Sequence, residues 1–475
     1  MPIPMPLVET SQVETDTICA IATAPGRSGV GIVRISGPLS LSISKKILGF
    51  SPTPRHAHFC NFLDATEMNI DQGIALFFSA PNSFTGEDVL ELQGHGGTYV
   101  LRELLDCALQ RGARLANPGE FSERAFLNNK IDLLQAEAIA DLIESNSKQA
   151  AKSALRTLQG EFSNKIRDLV RLLIDARVHI EATIDFSDED IDFVSDNKVG
   201  DSLSAILESI TATLAQAKQG ALLKEGINVV IAGKPNAGKS SLLNALSGMD
   251  SAIVTDIPGT TRDLLSEEIN IDGLPIHIID TAGIRISDDV VEQEGLRRAQ
   301  LAMEQADQLL LIVDKSELEQ DVEKLLAPLV LLTGKSIKEL EYLQNTTVIY
   351  NKIDLLNSEV PSLSTVNYLD YSIPTLSLSA KECVGIDLLR GYIKEAIGFK
   401  ATEEGVFIAR ERHLTALNNA KKLVESALAL LATQSSLELI AEDLRFAQVQ
   451  LGAITGEFTS DDLLGEIFSN FCVGK

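Results

Sequence analysis

The sequence is poor in cysteine, and its cysteines are too scattered to form a framework. Five occur in 475 residues, with no Cys-x-x-Cys pair: Cys19, Cys60, Cys107, Cys383 and Cys472. Disulfide frameworks and structural zinc sites need paired or clustered cysteines. An odd, dispersed set therefore argues against both and indicates a reducing compartment.

Long apolar runs and a basic leader are also missing. No apolar stretch reaches the ~20 residues that a membrane-spanning helix needs. The first 17 residues carry prolines and three acidic side chains, and no basic residue precedes Arg27. Because signal and transit peptides need early basic residues, we expect a disordered tail here and a cytoplasmic protein.

Positive charge is scarce, with 41 Lys and Arg against 67 Asp and Glu and a net charge of −26. Such a surface repels phosphates, so non-specific nucleic-acid binding is disfavoured, and RNA contact would need a local patch or a partner. One set of bases follows a helical pattern: Lys148, Lys152, Arg156, Lys165, Arg167, Arg171 and Arg177. A solvated helix face is the favoured interpretation of this set.

A phosphate-binding motif is the most specific feature present. Gly233–Ser240 reads Gly-Lys-Pro-Asn-Ala-Gly-Lys-Ser, between an apolar run at Ile227–Ala232 and a helix-like stretch that begins at Ser241. Strand, glycine loop and helix are the context that this motif requires. Loop N–H groups cradle phosphate oxygens, Lys239 places a charge near the β- and γ-phosphates, and Ser240 offers a hydroxyl to Mg²⁺.

Four further segments follow in a fixed order, and together they specify guanine. The polar loop Thr255–Asp263 carries threonines that can complete the Mg²⁺ shell when a γ-phosphate is present. Asp280–Gly283 follows an apolar strand, which directs its carboxylate to the metal, and Asn351–Asp354 and Ser379–Lys381 follow two more. The Asp354 carboxylate can accept both the N1 and N2 hydrogens of guanine, a donor pair that adenine lacks. This order predicts a GTPase domain.

The predicted site lacks two parts of a Ras-type enzyme. A glutamine that orients the attacking water normally follows Asp-x-x-Gly, but Ile284 stands there and cannot orient water. No arginine finger can be identified, so another cation must neutralise the transition state or turnover will be slow. Four nearby acids are candidates for positioning water, although each alone is more typical of a solvated surface: Asp288, Asp289, Glu292 and Glu294.

The length and the apolar periodicity predict about three domains. Residues 17–118 alternate short apolar runs with helical stretches, as in an α+β domain. The pattern is almost wholly helical from 121 to about 220 and again from about 402 to the end, while the guanine motifs lie between about 227 and 398. A helical run split in this way predicts one helical domain built from both halves, with the GTPase domain inserted at a loop.

Five stretches outside the phosphate loop are specific enough to indicate a family. They are Ala22–Gly37, Phe84–Gly97, Asn129–Leu133, Gly259–Asp263 and the terminal Cys472–Lys475. With these motifs the chain resembles, over essentially its full length, the MnmE (TrmE) family of bacterial tRNA-modification GTPases.

The resemblance implies a multidomain fold. Its parts are an α+β folate-binding domain at 1–120, a discontinuous all-α domain at 121–222 and 399–475, and an inserted α/β Ras-like P-loop domain at 223–398. Family members dimerise and work in a heterotetramer-type complex with the flavoprotein MnmG (GidA). They add a carboxymethylaminomethyl or aminomethyl group to C5 of a tRNA wobble uridine, with a one-carbon unit from 5,10-methylene- or 5-formyl-tetrahydrofolate. The segment around Leu326–Leu343 is longer than the resemblance leads us to expect.

The resemblance also fills both gaps in the nucleotide site. A potassium ion replaces the arginine finger, and its implied ligands are Asn236, Thr255, Ile257 and Thr260. Such a cation compensates developing charge as an arginine would. Glu292, nine residues past Gly283, corresponds to the family's water-positioning glutamate, whereas Glu294 does not match.

The GTP contacts and catalytic groups follow residue by residue from the same match. Mg²⁺ is held by Ser240 and Thr261, and the catalytic groups for GTP hydrolysis are Lys239 and Glu292. The implied GTP-binding residues are Asn236, Ala237, Gly238, Lys239, Ser240, Ser241, Thr255, Asp256, Ile257, Pro258, Gly259, Thr260, Thr261, Asp280, Thr281, Ala282, Gly283, Asn351, Lys352, Ile353, Asp354, Ser379, Ala380 and Lys381.

The C-terminal tail is implied to return to a folate site. The residues around the folate are Arg34, Glu91, Lys130 and Lys475. The cationic groups suit a folate's glutamate tail, and the carboxylate of Glu91 suits its pterin N–H donors. Cys472 is assigned to the folate and modification centre, where it acts by its thiol or by packing, against the alternative of an inert thiol on a frayed tail. His95, which stands among glycines, is interpreted as a turn residue rather than a catalyst.

Two other functions share some of these features. A ribosome-assembly GTPase of the Era type has the nucleotide motifs, but it would carry a compact basic RNA-binding domain, which this acidic chain lacks. The second is a folate-dependent transferase with a purely regulatory GTPase. It would share the motifs of the family above, but its GTP hydrolysis would control the reaction rather than take part in it.

Overall fold

The structure is a computed structural model. It describes residues 16–145, 147–185, 198–248, 266–280, 290–317, 322–333, 341–356, 359–368, 371–400, 406–433, 436–457, 461–469, 471–472 and 474. Contacts divide the chain into two compact units, of which the first holds residues 1–143, 157–206 and 422–475, and the second holds residues 144–156 and 207–421. None of the described helices is both long and apolar enough to cross a membrane.

The N-terminal part of the first unit is a six-stranded sheet in the order β3-β4-β5-β2-β1-β6. Its strands are β1 (Ile18–Ile21), β2 (Ser28–Ser36), β3 (His58–Leu63), β4 (Asn69–Phe78), β5 (Val89–Gly96) and β6 (Arg114–Leu115). Neighbouring strands are antiparallel except for β1 and β6. The predicted α+β character of this segment is confirmed.

One face of this sheet is covered by α1 (Ser40–Leu48) and α2 (Thr98–Leu109). Buried Ile43 and Leu104 from these helices pack in one core with Val33 and Leu92 of the central strands. Because side chains alternate along a strand, the residues between these core positions lie on the opposite face. Register places Leu76, Glu91, Arg34 and Ala20 in one row across β4, β5, β2 and β1.

Helices follow the sheet in sequence. They are α3 (Glu120–Leu127), α4 (Leu133–Glu144), α5 (Lys148–Leu158), α6 (Glu161–Asp185) and α7 (Lys198–Glu225). In α6 the fully buried side chains recur at helical spacing, as at Phe162, Ile166, Leu169 and Leu173, which is the pattern of a helix with one apolar face.

The basic set predicted on one helical pattern is divided between α5 and α6. Several of its members are tied to neighbours in α6's own unit: Arg167 donates to Asp132 at 2.6 Å, and Arg177 donates to the side-chain carbonyl of Gln448 at 2.7 Å. These contacts agree with the interpretation as an ordinary polar helix face.

The second unit contains a seven-stranded sheet in the order β12-β13-β11-β10-β7-β9-β8. Its strands are β7 (Ile227–Gly233), β8 (Ser266–Ile271), β9 (Leu274–Asp280), β10 (Gln308–Asp314), β11 (Thr346–Asn351), β12 (Ser362–Tyr368) and β13 (Tyr371–Ser377). The five inner strands are parallel, and the edge strands β8 and β12 are antiparallel to their neighbours. The helices are α8 (Lys239–Ser247), α9 (Val290–Glu304), α10 (Val322–Thr333) and α11 (Ile386–Ala396).

The unexpectedly long segment near 326–343 has a packing role. Leu326 and Leu329 of α10 are fully buried, and Leu343, in a short 3₁₀ helix at Glu341–Asn345, is 1% exposed. They share a core with Val230 and Leu309 of the sheet. The described residues of this segment thus cover part of one face of the parallel sheet.

Helix resumes after the second sheet, as predicted, with α12 (Glu411–Ala432), α13 (Leu437–Thr455) and α14 (Asp461–Ser469). The side chain of Arg177 on α6 bonds Gln448 on α13, 271 residues away in sequence. The helical domain is therefore discontinuous and built from both ends of the run.

Candidate functional site

Two glycines give the phosphate loop its shape. Gly233 ends β7 with a φ of +151°, and a Cβ there would lie 2.4 Å from the carbonyl oxygen of Ile312. Gly238 has a φ of +100°, and a Cβ there would lie 2.1 Å from Nδ2 of Asn351. Any side chain at these positions would be strained and would collide. The motif's glycines therefore serve the close approach of the loop to two neighbouring strands.

The lysine and the hydroxyls of the motif come from the first turn of α8. Lys239 is 8% exposed, and its Nζ donates to the carbonyls of Gly233 at 2.8 Å and Lys234 at 3.1 Å. Its ammonium is thus held across the loop. Ser240 and Ser241 are exposed at the N-terminal end of α8, where helix N–H groups favour phosphate.

Asn351 ties the base-recognition loops to the phosphate loop. It is 2% exposed at the end of β11. Its Nδ2 donates to the carbonyl of Ala237 at 2.9 Å, and its Oδ1 accepts from the backbone N–H of Ala380 at 2.9 Å. One side-chain amide therefore joins the Gly233–Ser240, Asn351–Asp354 and Ser379–Lys381 segments.

Asp354, which is predicted to bind guanine, is oriented by a neighbouring hydroxyl. The hydroxyl of Ser379 donates to Oδ1 of Asp354 at 2.5 Å. The same hydroxyl accepts from the backbone N–H of Glu382 at 3.3 Å, which orients it. Asp354 is itself exposed, so its carboxylate keeps accepting capacity for a ligand's donors.

Asp314 is a member of this site that the sequence analysis missed. It ends β10, and its Oδ2 accepts from Nζ of Lys352 at 2.6 Å. Burial opposes its ionisation, but hydrogen bonds from Lys352 and Ser316 outweigh burial and lower the pKa of Asp314. The sequence pattern could have indicated Asp314, because this residue follows an apolar strand just as Asp280 does.

Several predicted nucleotide and metal residues lie outside the described part of the chain. They are Thr255, Asp256, Ile257, Pro258, Gly259, Thr260, Thr261, Thr281, Ala282, Gly283, Ile284, Asp288 and Asp289. Asp280 closes β9, and Glu292 lies in the first turn of α9, but the side chains of both fall outside the description. Asn236, by contrast, is described, with an exposed side chain and a φ of +65°.

A second polar cluster lies on the outer face of the N-terminal sheet. Arg34 on β2 donates through Nε to Oε1 of Glu91 on β5 at 3.0 Å. Gln93 donates to the other carboxylate oxygen at 3.3 Å. The Arg34 guanidinium lies 5.9 Å from the ring centre of Phe84 and 5.7 Å from that of Phe121. The structure therefore brings two of the four predicted folate residues together.

The C-terminal tail reaches the same cluster. Arg34 donates through Nη1 to the carbonyl of Gly474 at 3.4 Å, and the carbonyl of exposed Cys472 accepts from the N–H of Gly119 at 3.4 Å. Gly474 has a φ of +94°, and a Cβ there would lie 2.4 Å from the carbonyl oxygen of Ile21. Lys475, the predicted folate ligand, lies outside the described residues.

Lys130 is close to this cluster but makes no described contact with Arg34 or Glu91. Its Nζ donates to the carbonyl of Pro81 at 2.7 Å, and its side chain packs on Gly86. The loop between Pro81 and Gly86 also carries Phe84, which lies beside Arg34.

A parallel sheet with a phosphate loop after β7 and guanine-reading loops after β11 and β13 defines a P-loop GTPase. Residues 133–472 match the family described as "MnmE helical domain", and residues 17–130 match the one described as "GTP-binding protein TrmE N-terminus". The chain belongs to the MnmE family of tRNA modification GTPases.

Curated relatives match over almost the whole chain. The "tRNA modification GTPase MnmE" of Hydrogenovibrio crunogenus is 54% identical over 97% of this chain and 99% of its own length. That of Saccharophagus degradans is 55% identical over the same shares. The similarity therefore extends well beyond the nucleotide motifs.

One solved structure is a much more distant match. Aquifex aeolicus Era bound to GDP·AlF4⁻ is 24% identical over 42% of this chain and 66% of its own, with a TM-score of 0.25. So low a score carries no argument for an Era-type function.

Proposed function

We propose that the protein is a K⁺-dependent GTPase that, with the flavoprotein MnmG, adds a carboxymethylaminomethyl or aminomethyl group to C5 of the wobble uridine of certain tRNAs. The observation that best supports GTP hydrolysis is the position of the Asn351 amide, which joins the phosphate loop to the loops at Asn351–Asp354 and Ser379–Lys381. Full-length similarity to proteins named tRNA modification GTPase supports the other half.

The metal assignments fit the donors available. Ser240 offers an exposed hydroxyl at the N-terminal end of α8, which suits Mg²⁺ as a hard cation, with Thr261 as the second protein ligand. Asn236 offers an amide oxygen from the phosphate loop to K⁺, with Thr255, Ile257 and Thr260 supplying carbonyls. Mg²⁺ and K⁺ would neutralise charge that develops on the phosphates.

Water positioning is assigned to Glu292, in the first turn of α9. The phosphate charge is met by Lys239, whose ammonium already spans the loop. These residues and the cations replace the glutamine and arginine of a Ras-type site.

A tetrahydrofolate is assigned to the Arg34–Glu91 cluster. The guanidinium beside two aromatic rings suits a flat anionic ligand, and Glu91 suits a ligand's N–H donors. Lys130 and Lys475 would add positive charge around it, and Cys472 would act in the modification chemistry. When bound, the folate supplies a one-carbon unit.

The domain division is proposed as 1–120 for the folate domain, 121–222 and 399–475 for the helical domain, and 223–398 for the GTPase domain. A homodimer located in the cytoplasm and associated with MnmG completes the proposal. The family membership supports each of these assignments.

Steady-state GTP hydrolysis in K⁺ and in Na⁺ tests the GTPase proposal. Because K⁺ replaces the arginine finger, kcat should fall at least tenfold when Na⁺ replaces K⁺ at constant ionic strength. Asn236→Ala should remove most of the difference between the salts. Equal rates of the unaltered protein in both salts would remove the potassium assignment.

A regulatory role for the GTPase makes a different prediction from a role in the reaction cycle. With MnmG and tRNA present, a non-hydrolysable GTP analogue would support full modification if GTP only regulates. The proposal requires hydrolysis, so sustained turnover should stop with the analogue.

A further inference from the structure

The carboxyl end of β10 carries an aspartate whose two oxygens have different partners. Oδ2 of Asp314 accepts from Nζ of Lys352 at 2.6 Å. Oδ1 accepts from the hydroxyl of Ser316 at 2.6 Å and from its backbone N–H at 3.0 Å. The Asp314 side chain is 13% exposed, and that of Lys352 is 31% exposed. A local turn therefore fixes the carboxylate, and its second oxygen is committed to one lysine.

The backbone of Lys352 is unusual at this point. Asp314 and Asn351 are register partners in the parallel pair β10 and β11, so Lys352 comes directly after the residue opposite Asp314. Lys352 has a φ of +66°, which is uncommon for a residue that carries a side chain. Its carbonyl accepts from the N–H of Leu355 at 3.1 Å and closes the turn that carries Asp354. Surrounding contacts must maintain such a conformation, and the ion pair with Asp314 is one of them.

Lys352 links the two parts of the guanine-nucleotide site. It stands two residues before Asp354, whose carboxylate is predicted to bind the edge of guanine. It also lines a cavity with Asn236 and Ala237 of the phosphate loop, and Asp314 lines the same cavity. A nucleotide whose base meets Asp354 and whose phosphates meet the loop therefore passes Lys352. The methylene groups of a lysine can cover an apolar surface while its ammonium stays in a polar contact, and the face of a purine ring is such a surface.

We propose that Asp314 is a positioning residue for guanine, acting through Lys352. By binding the ammonium it holds the lysine chain in place, and the methylene groups form a surface for one face of the base. Ordering a lysine side chain costs conformational entropy, so a chain that is ordered before the nucleotide arrives strengthens binding. The inference rests on the nucleotide site of the proposed function and is independent of K⁺ and of tRNA.

Loss of this carboxylate should weaken nucleotide binding without slowing the chemical step. In Asp314→Asn of the full chain, Kd for GDP should rise about tenfold, the scale expected for ordering one long side chain. KM for GTP should rise with it, while kcat at saturating GTP is retained. Lys352→Met keeps an unbranched apolar stem and loses the ammonium, so it should show the same loss. The double variant should bind no more weakly than either single variant, because both changes remove the same ion pair.

Two control variants test whether the effect belongs to this pair. Asp272 forms an ion pair with Lys394 in the same unit, so Asp272→Asn should leave Kd for GDP unchanged. Ser316→Ala removes one donor to Asp314 but leaves the ion pair with Lys352, so it should weaken GDP binding less than Asp314→Asn does. Titration calorimetry measures Kd in each case.

Inosine diphosphate separates a contact with the ring face from a contact with its edge. Inosine lacks the 2-amino group that guanine is predicted to donate to Asp354, but it presents the same ring faces. Asp314→Asn should therefore weaken the binding of inosine diphosphate and of GDP by the same factor. A displaced Asp354 would weaken GDP binding more, and the ratio of the two Kd values would change.

Unchanged Kd for GDP in Asp314→Asn would overturn the inference. It would also be overturned by normal binding in Lys352→Met, by a double variant weaker than both single variants, or by a changed ratio of the two Kd values. The GTPase proposal would stand in each case, because the unaltered chain binds GDP and hydrolyses GTP in the same assays. Failure of the unaltered chain to bind GDP would overturn both.

Discussion

At the scale of single residues, Asn351 and Ser379 decide how the nucleotide loops are arranged. Asn351 uses both ends of its amide, and Ser379 donates to Asp354 while accepting from Glu382. Buried polar groups that are fully paired fix one arrangement, because leaving either partner unpaired costs about 1–3 kcal/mol. We therefore expect guanine recognition to depend on these side chains as much as on Asp354.

Asp354→Asn and Glu292→Ala should affect different steps. Asparagine can still accept from Ser379, but it places a donor where guanine also donates. GTP binding should weaken roughly ten- to a hundredfold, on the scale of a lost hydrogen bond to a charged group, and xanthosine triphosphate should bind better than GTP. Glu292→Ala should bind GTP normally but hydrolyse it about 10²-fold more slowly.

Titration calorimetry with both nucleotides and single-turnover hydrolysis measure the two effects. Glu294→Ala is the matched control for Glu292→Ala and should retain kcat. Loss of hydrolysis in Glu294→Ala instead would shift the assignment by two residues. Unchanged GTP affinity in Asp354→Asn would contradict the assigned role of that carboxylate.

Four of the five predicted nucleotide segments were recognised because each follows an apolar strand. Asp314 has the same signal, but its partner Lys352 is 38 residues away in sequence, so their contact was not apparent. His95 was predicted as a turn residue but lies in β5, which ends at Gly96. Its side-chain partner Asp71 comes from another strand, 24 residues earlier, and the adjacent glycines alone are typical of a turn.

At the scale of elements, apolar runs predicted four of the five inner strands, β7, β9, β11 and β13, and failed at the edges. Val229 and Ile231 of β7 are buried in the core on one face of the sheet, and Val230 and Ala232 are buried in the core on the other face. The strand is therefore continuously apolar over these four residues, as in parallel sheets. The edge strand β12 is mostly exposed and contains serine, threonine and asparagine. Its pairing with β13 depends on backbone hydrogen bonds that no hydrophobic pattern reveals.

The C-terminal tail is the element whose removal should separate the two activities. Its described hydrogen bonds are with Arg34 and Gly119, and both belong to the first unit. Deletion of Cys472–Lys475 should abolish tRNA modification and weaken tetrahydrofolate binding, while K⁺-stimulated GTP hydrolysis stays largely intact.

Cys472→Ser is the control for this deletion, because it removes the thiol and keeps the backbone contacts. If the thiol reacts, the variant should fail in modification and still bind the folate. Normal modification by the truncated chain would show that the tail is dispensable.

At the scale of the whole molecule, the chain interrupts one helical domain with another domain. Helices α6 and α13 lie on opposite sides of the inserted sheet in sequence and pack together, with Arg177 bonded to Gln448. Periodicity alone predicted helix on both sides. That the two helical segments form one domain was inferred from their separation by the GTPase motifs, and the contact between α6 and α13 confirms it. Which helix faces pack together could not be predicted, because many leucine- and alanine-rich faces have the same pattern.

The central claim is that this GTPase serves tRNA wobble-uridine modification. The most direct test is mass analysis of tRNA nucleosides from a strain whose gene for this chain is deleted, with and without the gene restored. The account predicts that 5-carboxymethylaminomethyl- and 5-aminomethyl-type uridines disappear on deletion and return with the gene, but not with the gene for Asp354→Asn. An unchanged content of these nucleosides in the deletion strain would contradict it.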